Sequence, residues 1–277
     1  MKAFFEHPYA RIYYETIGHG VPVADLHGYE LDLTTMKHWF EPLYKNYAGL
    51  QRIYIDLPGM GKSMASSKLK SAEHMLIALN SCLEHILKRK SYHLVGLSYG
   101  GYLSLHLAAQ NQAKVLSALL IVPAIHACFL DRAIPPFRIA VQDTDFLATL
   151  SPQQYDSIKD WMVVQTEYTY RRTINEIYPS LARGQKSFLK RFADKGYVFA
   201  DEAVFLSTPL DTPLTIIAGK EDNVVGYDDA VVYAGQCPNA DVIVIANAGH
   251  NLPIEQPDKF NAQVYDWIES AHLSFKT

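Results

Sequence analysis

Residues 94–101, LVGLSYGG, carry an apolar run into a serine with glycines two positions before and two positions after it. A nucleophilic hydroxyl can be mounted this way at the tip of a sharp turn. The serine backbone is held in an unfavourable conformation, and Gly96 and Gly100 fit where neighbouring chain leaves no room for a Cβ. Ser98 is the candidate nucleophile. As a plain strand-to-helix loop, the same segment would use the Ser98 hydroxyl only to cap the following helix, which leaves the paired glycines unexplained.

A serine hydroxyl is a poor nucleophile near neutral pH, so it needs a base, an acid to orient that base, and donors for an oxyanion. For the base, residues 241–250, DVIVIANAGH, read as a β-branched strand that ends in a small-residue loop carrying His250. For the acid, residues 213–222, PLTIIAGKED, read as a strand, a glycine and then two carboxylates, Glu221 and Asp222. One residue of offset reverses which way a side chain points at a strand end, so only one of the two can face the base. For the oxyanion, one backbone N–H comes from Tyr99, the residue after the serine. The other is expected from Tyr29, after the short strand VPVADL and the pair His27–Gly28. His27 reads as an organiser of that loop, and Gly28 lets the chain turn so that the next amide faces the site.

LHGYE at 26–30, DLPGMGKS at 56–63, GLSYGG at 96–101, Asp222 in AGKED and His250 in NAGHN together resemble the α/β-hydrolase fold superfamily, over nearly the whole chain. The resemblance implies a triad of Ser98, Asp222 and His250 in that chain order, with an oxyanion hole from the amides of Tyr29 and Tyr99. Met60 stands where many relatives carry histidine, at a position that is structural in the family. The implied chemistry is acyl transfer to water through an acyl-enzyme, with no cofactor, by an esterase acting on a small-molecule carboxylic ester. On the same triad the resemblance also admits an aminopeptidase of the proline-iminopeptidase kind, a C–C bond hydrolase, or a perhydrolase or lyase. Outside enzymes, it admits a non-catalytic receptor of this fold.

The elements needed to position these groups are visible in the pattern. KAFFEH and RIYYETIG suggest an opening hairpin, and RIYIDLPG at 52–59 the next buried strand. Further strands are expected near 92–97, 115–122, 213–218 and 241–246. Apolar residues at helical spacing mark helices at 71–88, at 101–112 and from about Pro257 to Ala271. The alternation predicts an α/β fold with a mainly parallel central sheet and helices on both faces. About ninety residues between the strands ending near Pro123 and beginning at Pro213 exceed any ordinary connection. The expected division is a core of 1–123 and 209–277 with an insertion at 124–208, which the resemblance makes a helical cap. Ser151, Pro152 and Gln154 mark a helix start, and the segment from Tyr155 to Ala182 is expected to continue as helix.

Within the insertion Trp161, Tyr168, Tyr170 and Tyr178 are candidates to line an apolar pocket, Trp161 and Tyr168 foremost, and Arg171 or Arg172 to hold a substrate carboxylate. Aromatic residues there also fit packing against the core, and paired arginines fit a solvated face. A peptidase would instead need acidic residues at the site, for which Glu167, Glu176, Asp201 and Glu202 are available.

The 277 residues carry a formal net charge of −4 with interspersed signs, which predicts no nucleic-acid partner and no polybasic membrane patch. GKS at 61–63 resembles the end of a phosphate-binding loop, but Asp56 stands where that motif needs its first glycine. No metal site is expected: there is no HExxH, and Cys82, Cys128 and Cys237 are far apart. Three dispersed cysteines and the lack of an apolar leader make a reducing cytoplasm the expected compartment. The expected partner is a small-molecule substrate, and the oligomeric state is left open.

Overall fold

The computed structural model describes residues 1–273. Lys2–His7 (β1) and Ala10–Ile17 (β2) form the expected hairpin, in register from Lys2↔Glu15 to His7↔Ala10. Val21–Leu26 (β3) and Leu50–Ile55 (β4) follow, and the short Met64–Ala65 (β5) pairs with β2. The rest of the sheet is Tyr92–Leu97 (β6), Val115–Ile121 (β7), Leu214–Gly219 (β10) and Ala240–Ile245 (β11), with Val141–Gln142 (β8) and Val164–Gln165 (β9) forming a separate parallel pair. The strand order is β1-β2-β4-β3-β6-β7-β10-β11. From β4 through β11 every pairing is parallel, and β1 and β2 are the antiparallel edge.

A parallel sheet is covered on both faces, so its middle strands lack polar alternation. β6, YHLVGL, is buried at all six positions. The covering helices are Leu33–Tyr44 (α1), Ala72–Leu87 (α2), Tyr99–Gln110 (α3), Asp228–Ala234 (α10), Leu252–Glu255 (α11) and Pro257–Leu273 (α12). α2 buries Met75, Leu76, Leu79 and Leu83 on one stripe, as its periodicity predicts. α1 starts on the side chain of Asp32, which accepts from the N–H of Thr34 at 2.9 Å. The strand expected over 52–59 stops at Ile55, because Pro58 and Gly59 belong to a tight turn that Met60 closes by donating to the Leu57 carbonyl.

Between β7 and β10 the chain forms a short 3-10 turn at Phe129–Asp131, then β8 and β9 among the helices Thr144–Leu147 (α4), Pro152–Asp156 (α5), Glu167–Glu176 (α6), Tyr178–Leu181 (α7), Lys186–Lys195 (α8) and Glu202–Leu206 (α9). Ser151 and Gln154 form the expected capping box. The continuous helix expected from Tyr155 to Ala182 is not formed. It breaks between Asp156 and Glu167, where β9 pairs with β8 and the N–H groups of Val163 and Val164 donate to Glu255 at 2.8 and 3.3 Å. A buried carboxylate holds these amides more strongly than a helix would hold β-branched residues.

This insertion lies over the carboxyl ends of the parallel strands. Tyr29 Oη donates to the Leu189 carbonyl at 2.6 Å, Tyr99 Oη to the Tyr197 carbonyl at 3.0 Å, and Trp39 Nε1 to Glu176 at 2.8 Å. Arg183 forms an ion pair with Asp32, just beyond β3. Among the described residues no helix is long and apolar enough to cross a membrane.

Candidate active site

Ser98 is the only residue between β6 and α3, and its backbone sits at φ 51°, ψ −115°. For a non-glycine residue this conformation costs on the order of 1–3 kcal/mol. The surroundings enforce it: the Ser98 N–H donates to Ile121 at 3.0 Å, and its carbonyl accepts from Tyr102 at 3.1 Å and Ala124 at 3.2 Å. The reversal also brings the flanking glycines against other chain. A Cβ on Gly96 would stand 2.6 Å from the Gly100 carbonyl oxygen, and one on Gly100 would stand 2.5 Å from that of His27. The hydroxyl makes no helix-cap bond; Ser98 Oγ lies 3.0 Å from His250 Nε2.

His250 sits in the loop after β11, and its Nδ1 is 2.9 Å from Asp222 Oδ2. Asp222 is fully buried, and its other oxygen accepts from the N–H groups of Val224 and Val225 at 2.8 and 3.0 Å. Neighbouring Glu221 turns the other way and accepts from the Ala248 N–H at 3.1 Å. The choice between the two carboxylates is thereby made. An ionised Asp222 can only accept, so the imidazole proton is assigned to Nδ1, and Nε2 is left to accept from Ser98.

Behind the histidine lies a residue that the sequence pattern did not single out. Glu255 on α11 takes the Gly249 N–H at 2.6 Å through one oxygen and the Val163 and Val164 N–H groups through the other. Burial pushes its carboxyl up to about 7; the three N–H groups pull the other way, and the charge of Asp222 adds to the rise. It ties the residue before His250 to the insertion.

His27 is an organiser of its loop, as expected. Its Nε2 accepts from the Leu57 N–H at 2.9 Å, which assigns the proton to Nδ1, donating to the Gly28 carbonyl at 2.7 Å. Burial lowers its pKa to about 4, so it stays neutral, and with both ring nitrogens engaged and the ring fully buried it has no nitrogen to offer a substrate proton. Gly28 lies against the nucleophile: a Cβ there would be 3.3 Å from Ser98 Cβ. The backbone N–H groups of Tyr29 and Tyr99 have no hydrogen-bond partner among the described residues.

Ser98 and His250 open onto a cleft of about 260 Å³. Its walls are mainly apolar, from Leu31, Trp39, Trp161, Ile177 and Val224, with Arg132 and Tyr197 adding polar groups. Trp161 is therefore where the pocket reading placed it. Tyr168 and Arg171 are not: Tyr168 is 56 % exposed, and Arg171 is solvent-facing and paired with Glu167. The buried positions of α6 are Thr169 and Thr173, one turn apart, which rotates residues 168 and 171 away from the cleft. Arg172 is spent on Glu176 and the Pro253 carbonyl.

Residues 26–257 match the model of the alpha/beta hydrolase fold family. The chain belongs to this family. An α/β-hydrolase superfamily protein of Bacillus subtilis, YisY, is 22% identical over 94% of this chain and 96% of its own. A monoacylglycerol lipase of Xenopus laevis, abhd6-B, is 27% identical over 91% of this chain and 77% of its own. Among solved structures, an alpha/beta superfamily hydrolase from Oenococcus oeni superposes with a TM-score of 0.85 at 28% identity, covering 93% of this chain and 95% of that one. The chain is thus a hydrolase of the alpha/beta fold, and monoacylglycerol lipases are among the proteins it is similar to.

Proposed function

We propose that the protein hydrolyses small-molecule carboxylic esters with Ser98 as nucleophile, His250 as general base and acid, and Asp222 as the group that orients and supports the imidazole. The observation that carries this reading is the relay itself. Asp222, His250 and Ser98 stand in line at 2.9 and 3.0 Å, and its serine end opens on a cleft.

In the first half-reaction His250 Nε2 takes the Ser98 proton as Oγ attacks the ester carbonyl. The tetrahedral oxyanion is received by the unengaged N–H groups of Tyr29 and Tyr99, and His250 returns the proton to the departing alkoxide. An ester of Ser98 and an alcohol result. Water, deprotonated by His250, then attacks that ester and releases the acid and the free serine. The insertion over the cleft limits water around the developing charges, which strengthens their stabilisation.

The lipase relatives support an ester bond over a peptide bond, and so does the chemistry of the walls. An aminopeptidase needs a carboxylate to hold its substrate's ammonium group. Glu167 and Glu176 are paired with arginines, Glu202 is held by Tyr102, Asp201 is exposed, and none of the four lines the cleft.

Labelling by a fluorophosphonate probe, alongside turnover of 4-nitrophenyl esters of increasing length and of proline 4-nitroanilide, tests the proposal. The expected result is rapid labelling that Ser98→Ala abolishes, with turnover of esters and none of the anilide. Labelling or ester turnover that survives Ser98→Ala assigns the chemistry elsewhere. Folded protein that is neither labelled nor active favours a receptor.

A further inference from the structure

Arg132 stands in the cleft that holds Ser98 and His250, on the irregular segment between β7 and β8. Its guanidinium donates to three backbone carbonyls: Nε to His126 at 2.9 Å, Nη1 to Val224 at 2.9 Å and Nη2 to Ala127 at 2.8 Å. A guanidinium carries five N–H donors, so two remain beyond those held by carbonyls, and the Tyr197 phenol shares a side-chain hydrogen bond with this group. Burial raises the pKa of the Tyr197 phenol beside it, and Arg132 opposes that rise. Carbonyl partners fix where the guanidinium sits without neutralising its charge.

Arg132 forms no ion pair among the described residues. Three other arginines of the insertion are neutralised, Arg171 by Glu167, Arg172 by Glu176 and Arg183 by Asp32, while Arg138 and Arg191 do not line the cleft. Neighbouring Asp131 is solvent-exposed and forms no ion pair with Arg132, and three buried or loop carboxylates nearby are committed elsewhere. Asp229 takes the Ala133 N–H, Glu202 takes Tyr102 Oη and the Ala127 N–H, and Asp222 takes His250. Among the described residues no aspartate or glutamate lines the cleft. A half-buried, rigidly seated cation among apolar walls is what recognition of a carboxylate requires, because a planar fork meets a carboxylate in two parallel bonds.

We propose that Arg132 is the anion-binding residue of this cleft and that the preferred substrates are esters carrying a carboxylate on an otherwise apolar body. The proposal rests on the hydrolase reading above and adds the substrate class. The apolar portion lies along Trp39, Trp161 and Ile177, and the carboxylate meets the N–H groups of Arg132 that no carbonyl holds, alongside the Tyr197 hydroxyl that shares them. The positive charge the sequence pattern sought at Arg171 is supplied instead from the segment before β8.

Two matched substrate pairs test this on the wild-type protein, followed by proton release. Ethyl hydrogen glutarate against ethyl pentanoate puts the carboxylate in the acyl part. Butanoate esters of 3-hydroxybenzoate and of 3-hydroxybenzamide put it in the leaving group. The anionic member of at least one pair is expected to have a kcat/KM about tenfold or more above its neutral partner. That ratio is expected to collapse in Arg132→Gln and to be partly restored in Arg132→Lys. Because Arg132 also ties three carbonyls, a binding readout on the wild type accompanies the variants: glutarate inhibits competitively at concentrations where glutaramide does not. Turnover of neutral esters at least as fast as of anionic ones in both pairs, with equal inhibition by the two glutaryl compounds, overturns the anion site and leaves the hydrolase reading standing. Absence of all turnover and of fluorophosphonate labelling overturns both.

Discussion

The backbone N–H of Gly249 donates to the carboxylate of Glu255 at 2.6 Å, one residue before the imidazole that faces Ser98. The other oxygen of that carboxylate holds two amides of the insertion. One buried side chain thus fixes the histidine loop relative to the segment that carries Trp161. Glu255→Gln replaces one of its acceptor oxygens by a donor group. In either orientation of the amide a donor then faces a donor, at a cost of about 1–3 kcal/mol. Expected in steady-state kinetics is a kcat/KM lower by about tenfold or more in a protein that still folds. Wild-type kinetics in the variant would remove Glu255 from the positioning of His250.

The same carboxyl gives a pH signature. Burial pushes both Glu255 and Asp56 up to about 7. Between the ordinary carboxylate range of about 4 and that value, the folded protein keeps protons that the unfolded chain has released. Their contribution to stability is therefore complete below pH of about 4 and is lost as the pH rises to about 7. Thermal unfolding of wild type and Glu255→Gln from pH 5 to 8 is expected to show the variant's deficit in Tm shrinking as pH rises. A deficit independent of pH contradicts the raised pKa.

Asp222 leads to a sharper expectation, because its two oxygens do different work. Oδ1 takes the N–H groups of Val224 and Val225, so in Asp222→Asn the amide oxygen must remain there. The amide NH2 then faces His250 Nδ1, which must become an acceptor, and the imidazole proton moves to Nε2. An Nε2–H cannot accept the Ser98 proton. The loss expected in kcat is about 10,000-fold, the size of the tautomer effect in other serine hydrolases, with unchanged folding by circular dichroism. A loss below tenfold would mean that His250 is not the base.

Much of this site was legible in the sequence because it depends on local geometry. The Ser98 turn demands small neighbours, and the demand is written as Gly96 and Gly100; His250 and Asp222 each follow a strand that its β-branched run announces. Glu255 was not legible, since a glutamate in LPIE reads as a solvated helix residue until the fold brings Gly249, Val163 and Val164 to it. Arg132 lies between Phe129 and the pair Pro135–Pro136, where no periodicity tells which way a side chain faces. The helix expected through 156–167 failed for a related reason: the competing partner of its amides is ninety residues away. On α6 the buried stripe is made of threonines, so the aromatic and cationic side chains of Tyr168 and Arg171 gave no sign that they face away from the cleft.

Gly100→Ala tests the turn independently of chemistry. Its added methyl would meet the carbonyl oxygens of Leu26 and His27, backbone atoms at the end of β3 that cannot swing aside. The methyl must displace either α3 or the loop that carries Tyr29. Overpacking of this kind costs about 1–3 kcal/mol. Both a lower denaturation midpoint and a lower kcat are expected, because the Tyr29 amide moves with the loop. A variant of wild-type stability and activity would show that the elbow is looser than its contacts imply.

Trp161 offers a test of which wall sets the size of the acyl group. Its indole N–H is already satisfied by the Ser157 carbonyl at 2.7 Å, so the ring is fixed and its remaining surface faces the cleft. Trp161→Ala removes the ring and enlarges a cleft whose other lining includes the apolar Ile177 and Val224. A longer acyl chain can fill that space, and each added methylene buried there is worth about 0.8 kcal/mol, or about fourfold in kcat/KM. A short chain gains nothing and loses the wall that held it. Across a series of 4-nitrophenyl esters the optimum is therefore expected to shift by two to four carbons toward longer chains, with the shortest ester slowed. A uniform fall across the series would mean that Trp161 supports the insertion without bounding the acyl group, and would transfer that role to other lining residues such as Trp39 and Leu31.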